Sequence, residues 1–253
     1  RFAIYMLRLT GSGSPLKLVL GFMLTTAVLS MWISNTATVL MMLPMAIAII
    51  NAVDNPRFGV ALILGIAYSA SLGGVGTPIG TPPNIIFMSV YEETQGIEYS
   101  FIDWMKTGVP IVILGVPIMA LWLARGIKEV GHIDLPVPST WSRAEKRVLA
   151  IFGTVALAWI FRPFWTAWIG VSTISDSTIA VAGVAAMFFT NSGNDNGHVD
   201  AKGNNDKLLD WKTANDIPWG MLLLFAGGIC IAKAFMASGL SVLMGSWLTG
   251  LAT

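Results

Sequence analysis

The chain has 253 residues, 55% of them hydrophobic and only 11% charged, and its mean hydropathy is strongly positive. That balance excludes a soluble globular core and describes an all-α polytopic membrane protein, while a net charge of +1 gives no footing for a nucleic-acid partner. The lone cysteine, Cys230, excludes an intrachain disulfide and offers no metal cluster.

Residues 1–14 mix basic and apolar side chains (Arg1, Phe2, Ile4, Arg8) ahead of a Gly/Ser turn, the pattern of an interfacial amphipathic helix or of a frayed terminus. An apolar run from Leu16 to Ile50 follows, interrupted only by Ser34-Asn35-Thr36. At about 1.5 Å per helical residue the run is too long for one crossing of a roughly 30 Å hydrocarbon core and short for two crossings plus a turn. Residues 15–53 are therefore expected to form a re-entrant helical hairpin with Ser34-Asn35-Thr36 at its tip. Asn35 or Thr36 would cap the returning helix, whose free N–H groups and positive dipole end suit an anion. The competing reading is a polar turn or packing contact between ordinary spans.

Residues 56–91 carry a second interruption, Gly73-Gly74-Val75-Gly76-Thr77-Pro78-Ile79-Gly80-Thr81-Pro82-Pro83-Asn84, which no continuous helix survives. Irregular backbone at membrane depth is tolerated only where protein or a wet cavity satisfies it, and paired broken segments mark transporter binding sites. The stretch has no charged residue, which favours burial over an aqueous loop, and the two interruptions are expected to meet.

Further transmembrane helices are expected within 107–190, at 107–124, 147–161 and 177–190. The connection at 162–176 reads as an interfacial turn, with Trp165 and Trp168 in the aromatic belt. Residues 191–216 form a polar cytoplasmic loop, and 217–253 supply a transmembrane helix at 218–237 and an interfacial helix. Pro44, Pro110 and Pro117 are expected only to bend helices, Lys233 to snorkel, and the Met and Trp residues mainly to face lipid. His132 and His198 lie in polar loops away from any cluster. Basic residues before 58 and within 125–147 and 202–212 share one side, leaving Lys106 and Arg162 opposite, so the side holding 125–147 is cytoplasmic.

No Asp, Glu, Arg or His occupies the middle of an expected span, so neither a carboxylate proton relay nor a buried arginine for substrate is in evidence. What remains at the two interruptions is hydroxyl and amide oxygen, glycine carbonyls and helix N-termini. Hard neutral oxygens suit Na⁺ and helix N-termini suit a carboxylate, which points to sodium–anion cotransport. A channel would need a continuous polar face along several spans. A membrane enzyme would need a nucleophile or metal set, and the spans hold neither.

Ser34-Asn35-Thr36, followed by Gly73-Gly74 through Thr77-Pro78-Ile79-Gly80-Thr81-Pro82-Pro83-Asn84 and later by Ile217-Pro218-Trp219-Gly220 and Gly227-Gly228, resembles the divalent anion/sodium symporter family over nearly the whole chain. The resemblance implies sodium-coupled import of dicarboxylates or citrate (succinate, malate, fumarate) across a bacterial plasma membrane, or anion exchange without sodium. It also implies a homodimer and an elevator movement of an inverted-repeat fold. Carried onto this chain, it implies a sodium site from Ser30, Ser34 and Asn35 with a glycine carbonyl, Gly80 first and Gly76 next, and a substrate site from Ser34, Asn35, Thr36, Thr81 and Pro82. The family has two Ser-Asn-Thr hairpins and this chain one, so a longer parent is expected, its second hairpin beginning just after Thr253. A faint repeat between Met6–Gly11 and Gly245–Gly250 agrees with that.

Overall fold

The computed structural model describes residues 14–53, 55–127, 141–171, 173–193, 207–217 and 219–240, together with 243, 246 and 247. The 1–14 amphipathic segment (all but Ser14), both members of the faint repeat apart from 246 and 247, His132, His198 and residues 194–206 of the 191–216 loop lie outside them. Every regular element among the described residues is helical.

Residues up to 186 form one compact unit, and 187–253 a second. In the first, α1 (Pro15–Ser30) and α2 (Asn35–Ala52) are the limbs of the hairpin, and α3 (Pro56–Gly74) and α4 (Pro82–Gln95) flank the second interruption. They are followed by α5 (Phe101–Leu123), α6 (Arg143–Ile160), α7 (Arg162–Ile169) and α8 (Asp176–Phe189), whose last three residues belong to the second unit.

Several helices start where a local cap favours them. Ser14 accepts from Lys17 N ahead of Pro15, Asn55 accepts from Arg57 N and Phe58 N ahead of Pro56, and Ser142 with Glu145 makes a reciprocal capping box. Pro44, Pro110 and Pro117 all lie inside continuing helices, as expected of bends rather than breaks.

The core is built on α1. Leu18, Val19, Phe22, Met23 and Ala27 are enclosed by Met42 and Ala46 of α2, Phe58, Leu62 and Ile66 of α3, and Val112, Val116 and Ala120 of α5. Gly73 explains how closely α1 and α3 approach: a Cβ there would lie 2.6 Å from Ala27 Cα. In contrast, α6 and α8 each bury one apolar residue, Ala156 and Ile179. By length and composition α2, α3 and α5 can cross a membrane, and α6 with α7 forms a further apolar pair bent by 75°. At ~24 Å and ~27 Å the limbs α1 and α2 are each nearly as long as the hydrocarbon core is thick.

The segment at 162–176 is not simply a turn. Pro163 starts α7 immediately after α6 ends, and Arg162, at the joint, is 8% exposed. Its guanidinium pairs with Glu98 before α5 and lies 2.7 Å from Asp176 at the start of α8, while donating to Ile174 O at 3.1 Å. Trp168 is 87% exposed, as a belt residue should be, but the Trp165 indole N–H donates to Ala158 O.

In the second unit the Lys207 amine donates to Asn191 Oδ1 at 2.7 Å and to Phe189 O. Beyond it lie α9 (Trp211–Asn215), capped by Asp210, and the apolar α10 (Trp219–Ala237). Lys233 and Cys230 are exposed on α10.

Candidate functional site

The two interruptions meet. Ser30, the last residue of α1 and fully buried, places its hydroxyl 2.6 Å from Asn35 Oδ1 and 2.7 Å from Ala70 O on α3. Thr77, in the turn between α3 and α4, donates to Met31 O in the hairpin tip. A Cβ on Gly74 would stand 2.7 Å from Asn35 Oδ1, and one on Gly80 would stand 2.5 Å from Gly74 O, so both positions hold glycine because another polar group occupies the space.

The cap differs from expectation. Ser34, rather than Asn35 or Thr36, has the extended backbone of an N-cap, and its hydroxyl accepts from Ala37 N at 3.3 Å. Asn35 is the first helical residue, which turns its amide inward toward Ser30. The N–H groups of Asn35 and Thr36 remain ahead of that capped donor, as the first-turn groups of a helix do.

The turn from 75 to 81 is irregular, yet several carbonyls in and just before it find donors. Gly76 N bonds Gly73 O, the Asn84 amide donates to Gly74 O at 2.7 Å and Thr77 O at 2.9 Å, and the Trp104 indole donates to Val75 O at 2.7 Å. Asn84 and Trp104 are the residues that the sequence reading missed. The only sequence signals were an amide just after Pro82-Pro83 and a tryptophan near the start of a span. Thr38, one turn beyond Ser34, is a third: it is fully buried and its hydroxyl has no hydrogen-bond partner among the described residues.

Burial divides the expected residues into three sets. Ser30, Gly76 and Gly80 are buried, Asn35 and Thr81 are half-buried, and Ser34, Thr36 and Pro82 are exposed. All eight are uncharged, so the site works through oxygen lone pairs, N–H groups and dipoles. The α4 N-terminus contributes unequally: Pro82 and Pro83 have no N–H, and Thr81 makes no side-chain cap bond. Thr81 thus has a free hydroxyl to offer, whereas Pro82 can offer only its ring.

A helical bundle with several membrane-length apolar helices, a hairpin tip seated on a helix break and neutral polar groups at the junction is the architecture of an integral membrane transporter. The citrate transporter family model matches residues 1–253, and the chain belongs to that family. It is 35% identical over 274 aligned positions to the sodium-dependent dicarboxylate transporter SdcS of Staphylococcus aureus strain USA300, and equally to that of strain NCTC 8325. The alignment covers 99% of this chain and 51% of each relative, so the chain spans about half the length of the curated relatives it matches. The match places it among transporters and not among enzymes.

Proposed function

We propose that the full-length protein carries small dicarboxylates or citrate inward across a bacterial plasma membrane together with Na⁺. The observation that carries this reading is the cluster of Ser30 Oγ, Asn35 Oδ1 and Ala70 O, two contacts of 2.6 and 2.7 Å around a hydroxyl that has one proton. One of those oxygen pairs lacks a hydrogen, and a small hard cation beside them relieves the repulsion. Turning the Asn35 amide over would relieve it differently, with the NH₂ donating to Ser30. A sodium titration separates the two.

In this reading Ser30, Ser34 and Asn35 hold Na⁺, with carbonyls of Gly76 or Gly80 completing the shell and Ala70 O joining it. The substrate carboxylate sits on the exposed side, on the Asn35 and Thr36 N–H groups and the Ser34, Thr36 and Thr81 hydroxyls, with Pro82 as an apolar wall. The α2 dipole and the bound cation both favour a negative charge there. Homodimerisation and an elevator movement belong to the same proposal. What supports the movement is the contrast between the tightly packed α1–α2–α3–α5 group and the thin packing of α6 and α8.

The test is uptake of labelled succinate and citrate by the full-length protein in proteoliposomes. Saturable uptake that needs external Na⁺, with a raised sodium half-saturation in Ser30→Ala, is expected. Uptake that ignores Na⁺ but requires an internal dicarboxylate would establish an exchanger instead, and unsaturable flux a channel.

A further inference from the structure

A second polar–apolar feature lies at the opposite end of α3 from the break. There the first turn of α3 and the residues just past α5 enclose a groove of about 360 Å³. Arg57 and Arg125 line it together with Val60, Leu64, Leu123 and Ile127, with no acidic residue among the described lining residues. Neither arginine has an ion-pair partner among the described residues, and both are exposed. The apolar part is open as well, with Val60 58% and Leu64 37% exposed.

Two unpaired guanidinium groups above an open apolar wall are a match for an amphiphile with an anionic head. A free inorganic anion would use the arginines and gain nothing from Val60 or Leu64, and a neutral lipid would leave both charges uncompensated. Position agrees, because α3 and α5 are both long and apolar enough to span the bilayer and the groove sits at the ends of both. That places the arginines at headgroup level and the aliphatic side chains toward the acyl chains. The positive end of the α3 dipole adds to the same field.

We propose that this groove is a binding site for an anionic phospholipid, its phosphate between Arg57 and Arg125 and an acyl chain along Val60 and Leu64. A lipid held there joins the start of α3 to the end of α5 across a gap that the described residues do not fill. The site is separate from the transport site and does not depend on the substrate assigned above. A basic residue near an anionic lipid surface is worth about fivefold in affinity, so removing both should weaken binding roughly thirtyfold.

The experiment uses the full-length protein in detergent, titrated with phosphatidylglycerol, phosphatidylcholine or inorganic phosphate, and followed by native mass spectrometry for bound lipid and by thermal unfolding. Phosphatidylglycerol should bind and raise the unfolding temperature of the wild type. Arg57→Gln/Arg125→Gln should lose most of both effects, and Arg57→Lys/Arg125→Lys should keep most of them. Should the glutamine variant fail to fold, Val60→Ser/Leu64→Ser serves instead, with weakened lipid binding expected. Equal binding of phosphatidylcholine, an equal shift with inorganic phosphate, or undiminished phosphatidylglycerol binding by the variants would each overturn the proposal.

Discussion

Asn84 illustrates how much one side chain can hold. Its amide satisfies two carbonyls that the broken helix leaves behind, Gly74 O and Thr77 O, and the residue is only 6% exposed. Asn84→Ala would strip Gly74 O, at about 1–3 kcal/mol for a buried group left unpaired, and would leave Thr77 O with only the 3.3 Å bond from Gly80 N. Thermal or denaturant unfolding should therefore show a loss of ~1–3 kcal/mol, with transport falling as the break loosens. Gly74→Ala acts at the other face of the junction, where the new methyl group would meet Asn35 Oδ1. Sodium-dependent uptake should fall by tenfold or more while membrane insertion stays normal. Asn35→Ala should abolish uptake outright, because the amide serves both the cation and the carboxylate; near-normal transport by that variant would remove the hairpin tip from the site. The pairing of the two interruptions was legible from their polarity and lack of charge. The parts played by Asn84 and Trp104 were not, since each depends on a contact between residues distant in sequence, Trp104 with Val75 for example. Ser34 as cap was also missed, because Ser, Asn and Thr all rank well at that position and backbone conformation alone decides among them.

Among the elements, the joint between α6 and α7 departs furthest from the sequence reading. A run of aromatics with one arginine reads as a belt at the interface, yet Arg162 folds inward and ties together the starts of α5 and α8 through Glu98 and Asp176. Spacing along the chain could not show that three connections converge. Arg162→Ala should destabilise the protein by ~1–3 kcal/mol, toward the low end because Glu98 is 59% exposed and already well solvated. Thermal unfolding of Arg162→Ala beside Glu98→Ala would measure it, the second change costing less. Helix existence, in contrast, was legible wherever apolar runs were long, and the observed ends differ from the expected ones where caps intervene. Phe101 rather than residue 107 begins α5 because Ser100 caps it. A re-entrant hairpin with both ends on the cytoplasmic side, as we propose, predicts that cysteines introduced at Ser14 and Asn55 react with an impermeant thiol reagent from that side. A cysteine at Thr36 should be protected by saturating substrate with Na⁺. The exposed Cys230 must be replaced beforehand.

For the molecule as a whole, one hairpin and one helix break supply a single set of half-helix ends. In the proposed site a dicarboxylate has two charges to compensate, and the described residues offer a partner for one of them. Residues 1–253 alone should therefore bind succinate or citrate at least a hundredfold more weakly than the full-length protein, since a buried charge without its partner costs several kcal/mol. Calorimetry in sodium buffer reads this directly, and tight stoichiometric binding would show that one half suffices. The class of the protein was legible from composition and two motifs because membrane solvation leaves few ways to place polar groups at depth.

The contact between Gly73 and Ala27 bears on the energetics of the transport cycle. With α1 and α3 in close backbone contact at Gly73 and Ala27, sliding of the hairpin tip along the break is opposed, so in the proposed transport cycle the oxygens around Ser30 should keep their spacing on both sides of the membrane. Intrinsic sodium affinity should then be equal from the two sides. In the proposed sodium-coupled uptake, discharge into the cell would then follow from the low sodium concentration there, each tenfold difference contributing about 1.4 kcal/mol per ion, and not from any weakening of the site. Half-saturation constants measured in right-side-out and inverted vesicles should coincide.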